Sequence, residues 1–137
     1  MVEDLQNKIW TPTPEFMEAE QRFIVSALTE IGTETIYNAI DVAAKYRKNA
    51  YVEYSHYQVG AAILTDGGSI YGACNSESVA YSPTNHAEGS AISSANNEGE
   101  GKKNRKYIKA VAVCHSGDSG RCGECLQRIV EHADNCW

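Results

Sequence analysis

No apolar run in this chain of 137 residues approaches the length needed to cross a bilayer, and residues 1–9 are polar and acidic, without the apolar segment of a secretory leader. These absences predict a cytoplasmic protein with no membrane partner. Basic charge is also scarce. Twelve Lys and Arg against 18 Asp and Glu give a formal net charge of −6. An acidic surface repels phosphate backbones, which argues against long nucleic acids as partners. The one basic run, Lys102-Lys103-Asn104-Arg105-Lys106, follows a Gly- and Glu-rich stretch and reads as a solvated loop. A disulfide framework is missing too: Cys74, Cys114, Cys122, Cys125 and Cys136 are odd in number, and no spacing suggests pairing. A reducing compartment keeps such thiols free to bind metal. With no internal repeat and 42% apolar residues, a chain of this length predicts a single domain with a real core.

What is present is a series of short, well-punctuated elements. Thr13-Pro14-Glu15 reads as a helix start, and Phe16, Ala19, Phe23, Ala27 and Ile31 recur at helical spacing until Gly32. A second helix is expected from Thr33 to about Lys48-Asn49, with Ile36, Ala39, Ile40, Ala43 and Ala44 on its apolar face. Val59 to Leu64 reads as a buried strand, Asp66-Gly67-Gly68 as a turn, and Ile70 to Cys74 as the returning strand. A helix over about Asn85–Asn97 follows, then a loop from Gly99 to Lys106 and a strand from Tyr107 to Cys114. A glycine-rich loop, Gly117 to Gly120, leads to a last helix starting near Cys122, with Leu126, Ile129 and Val130 facing inward. The order predicts a layered α/β domain, helices packed on a small mixed sheet.

Two short motifs carry the chemistry. His86-Ala87-Glu88 and Cys122-Gly123-Glu124-Cys125 are separated by the 33 residues between Glu88 and Cys122. One imidazole and two thiols make three zinc ligands and leave the fourth tetrahedral position open. Both motifs fall at expected helix starts, where the first turn carries unpaired N–H groups and partial positive charge. That field favours thiolate and disfavours a protonated His86, and Cys122 and Cys125, three apart, share a helical face. Two thiolates and a neutral imidazole cancel the charge of Zn2+, and Glu88 is placed to move protons at the open position. Alone, Cys-x-x-Cys is also a redox pair or half of a structural zinc site; with His-x-Glu in this order it matches a zinc deaminase signature. Cys74 and Cys114 read as buried strand cysteines, and His115 and His132 as surface or capping residues.

The match extends beyond the zinc motifs. Ala50 to Ala62 (AYVEYSHYQVGAA), Asn75-Ser76-Glu77, Tyr81 and Pro83, and Cys122 to Gln127 resemble, in order, four segments of the cytidine deaminase family, and the resemblance covers about residues 36–132. It implies a three-layer helix/mixed sheet/helix fold over residues 33–137, with 1–32 an added arm and helix and a C-terminus that ends where a fourth strand would begin. It implies hydrolytic deamination of cytidine or deoxycytidine with release of ammonia, and a homodimer or homotetramer acting on a small nucleoside. Asn75 and Glu77 would hold the ribose hydroxyls, the Ala87 N–H would meet the base carbonyl, and Tyr57 and Tyr81 would contact the substrate. Tyr57 replaces a phenylalanine, so its hydroxyl needs a partner if buried. Arg121 replaces a proline, and Gly89 stands where three-cysteine members carry arginine, as fits a site with one thiolate fewer. These departures keep open a deaminase of another aminated ring, such as blasticidin S, or a zinc-binding remnant.

Overall fold

The computed structural model describes residues 30–116 and 122–134. The helix expected from Thr13 to Ile31 lies almost wholly outside these residues, as do the 117–120 loop, Arg121 and Cys136. The chain divides into two compact units, Met1–Thr33 and Glu34–Trp137, and the sheet belongs to the second.

Helix α1 spans Thr33–Arg47 and is followed by strands β1 (Val59–Thr65) and β2 (Ile70–Cys74). Helix α2 covers Ala87–Asn97, α3 Glu100–Lys103, strand β3 Ile108–His115 and helix α4 Gly123–Glu131. The strand order is β2-β1-β3. Gly60 to Thr65 are all buried, which is why β1 reads as a continuous apolar run rather than an alternating one. Successive side chains of a strand point to opposite faces, so β1 is covered on both sides. On one face Gly60 lies against α1; a Cβ there would overlap the Ala43 carbonyl and come within 2.5 Å of the Arg47 backbone nitrogen. The small buried residues Ala39 and Ala43 allow this approach. On the other face Ile63 packs with Ala91, Ile92 and Ala95 of α2 and with Tyr107, Val111 and Ile129. The result is three layers, helix, sheet and helix.

The sheet is antiparallel at every strand–strand ladder, where a mixed sheet was expected. Strands β2 and β3 do run in the same direction, joined by a crossover through α2. Strand β1 lies between them, so their parallel relation never becomes a hydrogen-bonded ladder. Among the described residues the parallel pairing is the isolated Tyr51–Ser76 bridge.

Three local expectations are corrected. The 99–106 loop contains a single helical turn, because buried Glu100 accepts a bond from the Tyr71 hydroxyl (2.9 Å) and pairs with Lys103. Lys106 is not merely solvated: its Nζ donates to the carbonyls of Val130 (2.9 Å) and Ala133 (3.4 Å), closing the C-terminal end of α4. Helix α4 buries Cys125 and Ile129, one turn apart, and turns Leu126 and Val130 outward, 43% and 59% exposed. The inward stripe is set by Cys125, which the site draws into the interior.

Candidate metal centre and cleft

His86 is the N-cap residue of α2, in extended backbone conformation, and its side chain makes no capping bond. The ring is therefore available to face α4. Cys122 is the N-cap of α4, and its Sγ accepts the Cys125 backbone N–H at 3.3 Å. The capping geometry brings the three donors together: His86 Nδ1 lies 3.1 Å from Cys125 Sγ and 3.2 Å from Cys122 Sγ, and the two sulfurs are 3.2 Å apart. Among the described residues these three form the one group of this kind able to share a metal ion.

Glu88, in the first turn of α2, is buried, and its charge acts on the Cys125 thiol. Burial first, then the contacts with Cys122 and Glu88, push the Cys125 thiol far above its ordinary range. Crowding the buried Cys125 sulfur and Glu88 carboxylate against the exposed Cys122 sulfur is unfavourable unless a cation neutralises them. The donor set thus fits Zn2+: one nitrogen, two sulfurs and a fourth direction opening onto a cleft.

That cleft has a volume of about 600 Å3, within the range of small-molecule sites. Its lining includes the three donors with Ala87 and Glu88, and also Ser55, Asn75 and Glu77. Asn75 is buried, and its side chain is engaged on both sides: Oδ1 accepts the Val59 N–H and Nδ2 donates to the Tyr57 carbonyl, each at 2.9 Å. Glu77 accepts the N–H groups of Tyr54 and Ser55, both at 3.1 Å, and the Ser55 hydroxyl. The Ser55 hydroxyl contributes most to holding the Glu77 carboxyl below its ordinary value. Tyr57 lines the cleft, and its hydroxyl has its partner in His115 Nδ1 at 2.9 Å.

Of the residues expected at the site, the structure brings His86, Ala87, Glu88, Cys122, Cys125, Asn75, Glu77 and Tyr57 into one cleft. Tyr81 is not among its lining. It is 69% exposed, in left-handed backbone conformation, with its ring edge-on to Tyr54 at 6.4 Å. His115, read as a surface or capping residue, lines the cleft at the end of β3, whereas His132 is the C-cap of α4 as expected. Ser55 and His115 were both missed. The Ser55 signal was its place in the Tyr54-Ser55-His56 segment; that of His115 appears only with the strand register, which sets it opposite Val59. A Cβ at Gly89 would lie 3.3 Å from Nη1 of Arg128, whose guanidinium also pairs with Glu124 at 2.8 Å.

Fold and site together define a metal-binding α/β domain in which a buried carboxylate shares a cleft with one imidazole and two thiol donors. Residues 33–135 match the model of the cytidine and deoxycytidylate deaminase zinc-binding region, and the chain belongs to that family, whose metal is zinc. It is 44% identical over 89 residues to a cytidine deaminase of Sporosarcina psychrophila, covering 64% of this chain and 62% of that protein. It is 40% identical over 96 residues to one of Halalkalibacterium halodurans, covering 67% of each. The chain thus spans about 62% to 67% of the length of these relatives. Among solved structures, the cytidine deaminase of Burkholderia pseudomallei superposes with a TM-score of 0.64 at 34% identity, covering 70% of this chain and 75% of that one. That of Mycobacterium tuberculosis gives 0.63 at 32% identity, covering 71% and 76%.

Proposed function

We propose that the chain removes the exocyclic amine of cytidine or deoxycytidine by hydrolysis, giving uridine or deoxyuridine and ammonia. The observation that carries this reading is the buried Glu88 and the His86, Cys122 and Cys125 donors in one cleft with Asn75 and Glu77. Zinc, when bound, supplies Lewis acidity that brings the pKa of a water near neutrality. Glu88 takes a proton from the attacking water and passes it to the ring nitrogen, then takes the remaining proton from the hydroxyl now on the attacked carbon and delivers it to the departing amine. Such positioned proton transfer is worth about 10²- to 10⁴-fold in rate. The Ala87 N–H, in the first turn of α2, has no intrahelical carbonyl partner and suits the base carbonyl. Glu77 and Asn75 face the sugar, with Glu77 kept ionised by Ser55 to accept from hydroxyls. We also read the chain as a cytoplasmic salvage enzyme that forms homodimers or homotetramers. Four unpaired cysteines among the described residues and the outward Leu126 and Val130 support this.

A second reading keeps the chemistry and changes the ring. Tyr57, hydrogen-bonded to His115, puts a hydroxyl where the family carries phenylalanine, which favours an aminated ring other than plain cytosine. Turnover of cytidine, deoxycytidine, free cytosine and blasticidin S, followed by the absorbance change on loss of the amine, separates the two. A protein holding one zinc per chain that turns over none of them refutes both.

A further inference from the structure

We propose that Cys122 and Cys125 form a redox switch: an oxidant of the peroxide class joins them as a disulfide, and the metal site is lost until a dithiol reductant reopens it. It rests on zinc at the His86, Cys122 and Cys125 donors. Cys122 is exposed and Cys125 is buried, and both line the cleft, so a small oxidant meets Cys122 first and Cys125 directly behind it. Their sulfurs lie 3.2 Å apart, and Cys122 Sγ accepts the Cys125 N–H at 3.3 Å, so the first turn of α4 holds the two together. Closing the bond asks the sulfurs to approach by about 1 Å, and Cys-x-x-Cys at a helix start is a spacing that redox pairs use.

The other described cysteines offer no such pair. Cys74 and Cys114 both stand opposite Gly60, on either side of β1. Two strand spacings put them about 10 Å apart, beyond the ~7 Å between Cα atoms that a disulfide spans. At the metal site, Cys122 Sγ attacks one peroxide oxygen, the O–O bond breaks, and Cys122 carries a sulfenic acid. Cys125 Sγ then attacks that sulfur, the S–S bond forms and the S–O bond breaks. The two sulfurs are oxidised by two electrons in all, and the peroxide is reduced. Each step releases a hydroxide that leaves as water with one proton from solvent. The disulfide removes two of the three donors, and His86 alone is too few ligands for a zinc site.

The test treats the zinc-loaded full chain with excess hydrogen peroxide, then with dithiothreitol and zinc. Released zinc is read with a chromogenic chelator, and the sulfur chemistry by mass mapping of peptides. The expected result is about one zinc released per disulfide, the bond mapping to Cys122 and Cys125, and recovery of at least about half of the bound zinc after reduction. Cys74→Ala and Cys114→Ala, taken singly, should release zinc at a rate within about twofold of the parent. Zinc retained under peroxide, release with sulfinic or sulfonic acid in place of the disulfide, or a disulfide through any other cysteine overturns the switch. A chain that shows the reversible disulfide yet never converts cytidine keeps the switch and overturns only the deaminase reading. A chain that holds no zinc overturns the metal reading, and the switch with it.

Discussion

Replacing Asn75 with alanine separates a ligand-binding role from a structural one. Asn75 is 8% exposed, and both ends of its amide hold the backbone at the entry to β1, through the Val59 N–H and the Tyr57 carbonyl. Asn75→Ala removes two 2.9 Å bonds and strands a donor and an acceptor. A buried group left unsatisfied costs about 1–3 kcal/mol. Tyr57 and Val59 are only half-buried, so water replaces part of each bond, and the lower half of the range applies to both. The expected loss is about 2–4 kcal/mol, or a fall in Tm of about 8–20 °C for a domain of this size. Thermal unfolding followed by circular dichroism measures it, and hydrogen exchange should show the Val59 amide losing protection. Because the same bonds set the position of Tyr57, kcat/KM should fall as well. A variant with a Tm within about 2 °C of the parent and a raised KM alone would refute the reasoning, because a buried amide that only binds ligand costs no fold stability.

Other perturbations test other parts of the structure. Gly60→Ala places a methyl group on the backbone of α1, which cannot swing aside, and should cost about 3 kcal/mol or more by denaturant unfolding. Gly123→Ala, where a Cβ meets nothing, should leave stability within about 0.5 kcal/mol. Glu88→Gln should retain zinc, read by elemental analysis, and lower kcat by about 10²- to 10⁴-fold. The Glu77 carboxyl titrates below its ordinary 4.5, mainly through Ser55, so the stability it contributes is present above pH 4.5 and lost as pH falls through the folded-state value. Ser55→Ala should weaken that loss, which would show as a flatter fall of Tm between neutral and acid pH.

Local sequence patterns carry further at the metal than in the cleft. His-x-Glu and Cys-x-x-Cys are such patterns, and their placement at helix N-caps follows from local backbone rules, so His86 and Cys122 are legible in the chain itself. The hairpin is legible for the same reason, since Asp66-Gly67-Gly68 marks the turn between two apolar runs. The role of His115 is not, because it depends on the register of β3 against β1, which pairs residues more than 50 positions apart at that end of the ladder. The antiparallel ladders escape a reading of element order, which fixes the direction of β2 and β3 but not which strand lies between them. Leu126 and Val130 fit the inward face by periodicity alone; the rotation of α4 is decided by Cys125, whose pull toward His86 no hydrophobic pattern records.

X-ray absorption at the zinc edge of the purified protein, with and without a bound pyrimidine, tests the open metal site most directly. The expected spectrum has one nitrogen and two sulfurs from His86, Cys122 and Cys125, with an oxygen from solvent in the fourth position, and that oxygen environment changes when the pyrimidine binds. Four protein ligands, or a first coordination sphere indifferent to the pyrimidine, would contradict it and make the zinc structural.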